Sequence, residues 1–144
     1  MADFVQAART ARLDMDLRRF VILVVEDDPD ARELMQAVLE QRGATVRTAE
    51  SVALAVEIFE STQVDVIVSD IAMPEEDGFA LVKRIRALPP EKGGNKPIVA
   101  LSAYAASSDR ARALSAGFSR YLHKPVDFEE LVLTIQSVAE PETA

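Results

Sequence analysis

Acidic side chains crowd the position where the first strongly apolar run of this sequence ends. Val21–Val25 leads directly into Glu26 and Asp27, and Asp28 and Asp30 follow shortly after. Carboxylates this close repel one another, and removing them from water is costly. Mg²⁺ relieves both penalties, because it binds carboxylate oxygens and water in octahedral geometry. The stretch therefore predicts a Mg²⁺ site that includes Glu26 and Asp27, with Asp28 as a helix N-cap and Asp30 as a first-turn acid.

Three more polar side chains stand at or just after the ends of later apolar runs. They are Asp70, Ser102 and Lys124. The carboxyl ends of parallel strands share one edge of a sheet, and ligands of open α/β sheets bind there. We therefore expect these side chains to meet Glu26 and Asp27 at one site.

The elements that must position this site alternate between strand-like and helix-like patterns. Such alternation predicts an α/β fold with a parallel sheet, right-handed crossovers and five helices covering both faces. In the flavodoxin-like order 2-1-3-4-5, the strands that carry the polar groups are consecutive neighbours. The first helix is expected to bury Ala31, Leu34, Val38 and Leu39, and Gly78 to supply a turn φ that other residues resist. The predicted strands are residues 21–25, 44–49, 64–70, 98–102 and 121–123.

Composition limits the classes of protein that this chain resembles. It has 144 residues, a net charge of −8, no cysteine and a single histidine, His123. The charge argues against a nucleic-acid surface and suits cations and basic partners. Thiolate and multi-histidine metal sites are excluded, a reducing cytoplasm is compatible, and we find neither a membrane span nor a signal peptide. We predict one domain over residues 20–139, with a tail or linker at residues 1–19 and a tail at residues 140–144.

Four motifs together resemble the response-regulator receiver domain of two-component signalling. In order, they are VVEDD, VSDIAMPEEDG, VALSA and YLHKPV, and the resemblance runs from about Phe20 to Val138. It implies that Asp70 accepts a phosphoryl group from a histidine kinase or a histidine phosphotransfer domain. It also implies that Mg²⁺ is bound directly by Asp27 and Asp70, through water by Glu26, and by the backbone carbonyl of Ala72.

The resemblance assigns further roles around the acceptor. Lys124 and Ser102 are expected to contact phosphoryl oxygens, and Tyr121 matches an aromatic position that turns inward when Ser102 moves toward phosphate. The Lys124–Pro125 step is usually cis in the family. We interpret His123 as an ordinary strand residue rather than a phosphoacceptor.

The expected output is a change in protein contacts. The face made of the fourth helix, the fifth strand and the fifth helix would change its affinity for a downstream protein, and homodimerisation stays open. The chain would catalyse little beyond its own phosphorylation and dephosphorylation. Little sequence follows Val138, so we expect a stand-alone receiver or one cut from a hybrid sensor kinase, whose receivers the long loop LPPEKGGNKP resembles.

Three alternatives use related chemistry or the same fold. A pseudo-receiver would keep the interaction face and take no phosphate. A phosphatase of the haloacid-dehalogenase type needs a second acid two residues after its nucleophile, where this chain has Ala72. A flavodoxin-like cofactor binder needs a phosphate-binding loop after the first strand, and the acids there would repel phosphate.

Overall fold

The computed structural model describes residues 17–104 and 106–139. In these ranges, five strands form one parallel sheet in the order β2-β1-β3-β4-β5, as predicted. The strands are β1 (Val21–Val25), β2 (Thr45–Ala49), β3 (Val66–Asp70), β4 (Ile98–Ser102) and β5 (Arg120–His123). The helices are α1 (Pro29–Gln41), α2 (Val52–Ser61), α3 (Gly78–Arg86), α4 (Ser107–Ala116) and α5 (Phe128–Ala139), with a short 3-10 helix at Pro90–Lys92.

The sheet is covered on both faces, which explains why its central strands are apolar without alternation. In β1, Leu23 and Val25 belong to one buried cluster, whereas Ile22 and Val24 belong to the other. The first cluster takes its helical residues from α2, α3 and α4, and the second takes them from α1 and α5. The predicted three-layer α/β architecture is therefore confirmed.

Side-chain caps fix where four of the helices begin. Asp28, Ser51 and Asp127 each accept backbone N–H groups of the following first turn, at 3.0–3.3 Å. Asp77 caps α3 in the same way, by accepting the Ala80 N–H at 3.1 Å, and the cap at Asp28 confirms the prediction from the sequence. The cap at Asp28 matters most for the site, because it starts α1 immediately after the acidic pair.

Two predictions about packing were wrong. Leu34 is 54% exposed, and its neighbour Met35 takes the buried position on α1 instead. The tail predicted at residues 1–19 is wrong for Leu17, which is fully buried and whose N–H donates to the Arg42 carbonyl at 2.6 Å. Arg18 and Arg19 are exposed, and residues 1–16 and 140–144 lie outside the described residues.

Gly78 is needed for a different reason from the one predicted. The described residues with positive φ are Glu75, Gly43, Gly93 and Gly117, so Gly78 does not supply a left-handed turn. A Cβ at Gly78 would instead lie 2.8 Å from the Asp70 carbonyl oxygen. The start of α3 therefore packs directly on the backbone of the predicted acceptor, where only glycine fits.

Candidate functional site

The carboxyl ends of four neighbouring strands bring the predicted site residues together. β1 leads into Glu26 and Asp27, β3 ends at Asp70, β4 ends at Ser102, and β5 leads into Lys124. Because β1, β3, β4 and β5 are neighbours in the sheet, all of these side chains lie at one edge. At this edge, Glu26, Asp27, Asp70 and Lys124 approach one another closely, whereas the Ser102 hydroxyl oxygen accepts a hydrogen bond from the Tyr104 N–H.

Three carboxylates form a compact and largely buried cluster at this edge. Glu26, Asp27 and Asp70 each offer an oxygen within 4.8 Å of the others. Glu26 is 2% exposed and Asp70 is 5% exposed, whereas Asp27 is half-buried. Within the described part of the chain, Glu26 Oε1 accepts no hydrogen bond although it is buried. Its nearest described cation is Lys124 Nζ, 3.5 Å away. A buried oxygen that accepts no hydrogen bond, beside two other carboxylates, fits a hard divalent cation such as Mg²⁺.

Lys124 is the cation that faces this cluster. Its Nζ lies 3.1 Å from Asp70 Oδ2 and 3.5 Å from Glu26 Oε1. Burial by itself lowers the pKa of Lys124, but hydrogen bonding and attraction to Asp70, with a smaller contribution from Glu26, raise it above the ordinary value. Lys124 therefore stays protonated and can neutralise anionic oxygens beside Asp70. The Lys124–Pro125 peptide bond is cis, as the resemblance implied.

Glu26 is the most buried acid of the cluster. Burial raises the pKa of Glu26 above its ordinary value, and repulsion from Asp70 and Asp27 adds to this effect. A hydrogen bond from the Asp28 N–H to Glu26 Oε2, at 3.2 Å, and attraction to Lys124 act in the opposite direction. The site therefore keeps an acid in an environment that disfavours its charge, which a bound cation would reverse.

Arg32 is a contributor that the sequence analysis missed. Its Nη1 donates to the Glu26 carbonyl at 2.8 Å and to the Asp27 carbonyl at 3.4 Å. These contacts tie the backbone of the acidic pair to the first turns of α1. An arginine several residues into an amphipathic helix carries no sequence signal of its own, because such residues are common on exposed helical faces.

The β4–α4 loop links the hydroxyl residue to the aromatic residue. Ser102 Oγ accepts the N–H of Tyr104 at 3.0 Å, and the Tyr121 hydroxyl donates to the Tyr104 carbonyl. Tyr121 is only 7% exposed, so its ring already lies inward in this structure. His123 is exposed at the end of β5, with its Nε2 3.2 Å from the Ala103 carbonyl.

A cavity of about 390 Å³ opens beside this loop. Its lining includes Ala72, Ser102, Tyr104 and Tyr121. Ala72 is exposed, and its small side chain leaves space between the end of β3 and the β4–α4 loop. Solvent can therefore reach the residues that line this cavity.

Comparison with known proteins decides the family. The sequence matches the family described as the response regulator receiver domain over residues 22–136. The chain belongs to this family. Among curated relatives of this receiver, an uncharacterized 14.6 kDa protein of Leptolyngbya boryana is 48% identical over 120 residues, which cover 83% of this chain and 90% of that protein. The sensor histidine kinase RcsC of Salmonella typhi is 34% identical over 83% of this chain but only 12% of its own length.

Solved receiver structures agree with this assignment. The receiver domain of the sensor histidine kinase PA1611 from Pseudomonas aeruginosa, which has a magnesium ion coordinated in its active site cleft, is 35% identical. The match has a TM-score of 0.76 and covers 84% of this chain and 98% of that one. A putative response regulator from Chloroflexus aurantiacus is 31% identical with a TM-score of 0.78, over 84% of this chain and 98% of that one.

The predicted family and the predicted flavodoxin-like sheet are therefore confirmed, and the chain is a receiver domain of two-component signalling. The roles of individual site residues remain predictions. In the described residues, none of the helices has the length and apolarity needed to cross a membrane.

Proposed function

We propose that this receiver accepts a phosphoryl group on Asp70 in a Mg²⁺-dependent reaction with a histidine kinase or a histidine phosphotransfer domain. The observation that carries the proposal is the buried cluster of Glu26, Asp27 and Asp70, with Lys124 Nζ 3.1 Å from Asp70. A structural ion pair would need one carboxylate for one lysine. Lys124 pairs with only two of the three carboxylates, which leaves excess negative charge that a divalent cation can neutralise.

The reaction is a transfer between two carriers. An oxygen of the Asp70 carboxylate attacks phosphorus, the bond from phosphorus to the donor nitrogen breaks, and the donor imidazole keeps the electron pair. The product is an acyl phosphate on Asp70. Lys124 lies next to Asp70 Oδ2 and stabilises the anionic oxygens, and the Ser102 hydroxyl donates a hydrogen bond to them.

Glu26, Asp27, Asp70 and the backbone carbonyl of Ala72 would hold Mg²⁺. When bound, Mg²⁺ offsets the repulsion between the attacking carboxylate and the anionic phosphoryl group. The magnesium ion in the related receiver of PA1611 supports this assignment. So does Glu26 Oε1, which has no hydrogen-bond donor in the described part of the chain.

The output is a redistribution between two arrangements of the β4–α4 loop. A phosphoryl group on Asp70 accepts a hydrogen bond from the Ser102 hydroxyl and draws it away from the Tyr104 N–H, so the loop shifts and Tyr121 follows through its bond to the Tyr104 carbonyl. The face formed by α4, β5 and α5 then changes its affinity for a downstream protein, and homodimerisation through it is one further outcome. We place the protein in the cytoplasm, where histidine kinases expose their phosphorylated domains, and assign it no nucleic-acid or membrane partner.

Intact-mass spectrometry after incubation with acetyl phosphate tests the proposal. We expect one phosphoryl gain in wild type with Mg²⁺, none with EDTA, and none in Asp70→Asn. Asp28→Asn is the matched control, because it removes a nearby charge outside the cluster and keeps an N-cap residue. A folded wild-type protein that gains no mass from acetyl phosphate or from phosphorylated histidine domains would overturn the proposal and favour a pseudo-receiver.

A further inference from the structure

Arg86, the last residue of α3, holds three backbone carbonyls with one guanidinium group. Nη1 donates to the carbonyls of Gly94 and Lys96, at 2.8 and 2.7 Å. Nε and Nη2 both donate to the carbonyl of Gly117, at 3.0 and 2.8 Å. Within residues 17–104 and 106–139, no carboxylate lies at ion-pair distance from Arg86. The side chain therefore joins the α3–β4 loop to the residue that ends α4.

The α3–β4 loop is folded so that its carbonyls reach this guanidinium. The 3-10 helix Pro90–Lys92 turns the chain, and the two glycines that follow are both buried. A Cβ at Gly94 would lie 1.8 Å from the Leu88 carbonyl oxygen, and Gly93 has φ +92 and packs on Phe59. The long loop noted in the sequence is thus a packed unit, and both glycines are required by its shape.

The other anchors of α4 lie in the same half of the helix. Gly117 has φ +123, and a Cβ there would lie 3.1 Å from Arg86 Cγ. The guanidinium of Arg112 sits 4.2 Å from the centre of the Phe79 ring. Ala113 is the one residue of α4 that is buried in the described structure. The C-terminal half of α4 is therefore held by α3, by the sheet and by the α3–β4 loop.

The N-terminal half of α4 contains none of the buried residues of this helix in the described structure. Its N-cap residue is Ala106, which makes no side-chain cap hydrogen bond in the described structure. Ser107, Ser108, Arg110 and Ala111 are exposed. This half follows directly from the β4–α4 loop, which carries the Tyr104 contacts to Ser102 and Tyr121. A rearrangement of that loop would therefore move the N-terminal end of α4 before it affects the C-terminal end.

We propose that Arg86 is a positioning residue that fixes the C-terminal end of α4, so that Gly117 is the pivot about which the N-terminal end moves. The fixed C-terminal end of α4 is a feature of the unphosphorylated chain. The movement of the N-terminal end on phosphorylation rests on the proposed function. Lysine cannot replace arginine here, because a single ammonium group cannot reproduce a planar fork of donors aimed at three carbonyls.

Hydrogen exchange measured amide by amide on the full chain tests the pivot. In wild type, we expect the amides of Gly117 and Phe118 to exchange at least about tenfold more slowly than those of Arg110 and Ala111. Arg86→Lys should reduce this ratio to below about threefold by accelerating the C-terminal amides alone. A general loss of stability would instead accelerate exchange in the strands and in both halves of α4 by similar factors.

Arg84→Lys is the matched control, because Arg84 lies on the same helix and, among the residues that the structure describes, pairs only with Glu76 at the surface, at 2.7 Å. We expect it to leave the ratio unchanged. If Arg86→Lys does not fold, Gly94→Ala disturbs the same contacts from the loop side and should also lower the ratio. Equal protection of both halves in wild type, or an unchanged ratio in a folded Arg86 or Gly94 variant, would overturn the proposal.

Acetyl phosphate with Mg²⁺ then tests how the pivot is used. In wild type, we expect exchange to change in the N-terminal half of α4 only, and in Arg86→Lys the change should extend to Gly117. A change at both ends in wild type would contradict the pivot. An absence of phosphoryl gain by mass, from acetyl phosphate and from phosphorylated histidine domains alike, would instead overturn the proposed function, and the wild-type exchange ratio would still decide the role of Arg86.

Discussion

Replacing Asp27 with asparagine tests whether repulsion between the carboxylates of the acidic cluster destabilises the folded protein. Lys124 pairs with Asp70 and Glu26, but in the described residues no cation lies within ion-pair distance of the Asp27 carboxylate. Asparagine preserves the shape of the side chain and one of its oxygens, and it removes the charge. We therefore expect Asp27→Asn to be more stable than wild type when divalent cations are absent.

The magnitude follows from the separation of the charges. Two unit charges 4.8 Å apart, the limit for the oxygens of this cluster, interact by about 3.5 kcal/mol at an effective dielectric constant of about 20. Water screens part of this repulsion because Asp27 is half-buried, and exposed pairs are worth only about 0.2–1 kcal/mol. We expect a net gain of about 1–2 kcal/mol, or about 3–8 °C in Tm for a domain of this size.

Mg²⁺ should reverse the order of the two proteins. A ligand that binds only the folded state stabilises it by about 2.7 kcal/mol at 100 times its Kd. The variant, which lacks one of three carboxylates, should gain less at the same concentration. Thermal unfolding followed by circular dichroism in EDTA and in Mg²⁺ measures both effects, with Asp28→Asn as the control. A variant less stable than wild type in EDTA would refute the repulsion, and equal stabilisation by Mg²⁺ would refute the role of Asp27 as a ligand.

Urea unfolding of three further variants tests one hydrogen bond near the site, one buried side chain and one backbone conformation. Tyr121→Phe removes the hydroxyl that donates to the Tyr104 carbonyl and should cost about 1 kcal/mol, so an unchanged stability would show that the bond contributes nothing. Leu17→Ala empties a fully buried position and should cost about 2–5 kcal/mol, and a much smaller cost would place Leu17 outside the core. Glu75→Gly should add about 1 kcal/mol, because Glu75 is exposed with φ 67 and glycine adopts this conformation without steric cost, whereas a destabilised variant would contradict this account.

The site was predictable from the sequence because its residues sit at the ends of strands. Once strands and helices alternate, a parallel sheet follows, and Asp70 and Lys124 must then share an edge with the acids after β1. The cap at Asp28 was equally accessible, since capping depends on a few adjacent residues.

The features that were missed depend on contacts distant in the chain. Gly78 is required by the approach of α3 to the Asp70 backbone, which no local turn pattern reveals. Leu34 and Met35 are adjacent on α1, and the direction in which the helix packs decides which of them is buried. Arg86 looks like any basic residue in the last turn of a helix, and its role emerges only when the carbonyls of two separate segments converge on it.

The most direct test of the central claim is to locate the phosphoryl group. Acyl phosphates are reduced by borohydride to the alcohol, so a phosphorylated aspartate is converted to homoserine, which peptide mass spectrometry can assign. After treatment with acetyl phosphate and Mg²⁺, we predict homoserine at position 70 alone, and none when Mg²⁺ is replaced by EDTA. Reduction at Asp27 instead, or a phosphorylated protein with no reduction at position 70, would contradict the assignment of Asp70 as the acceptor.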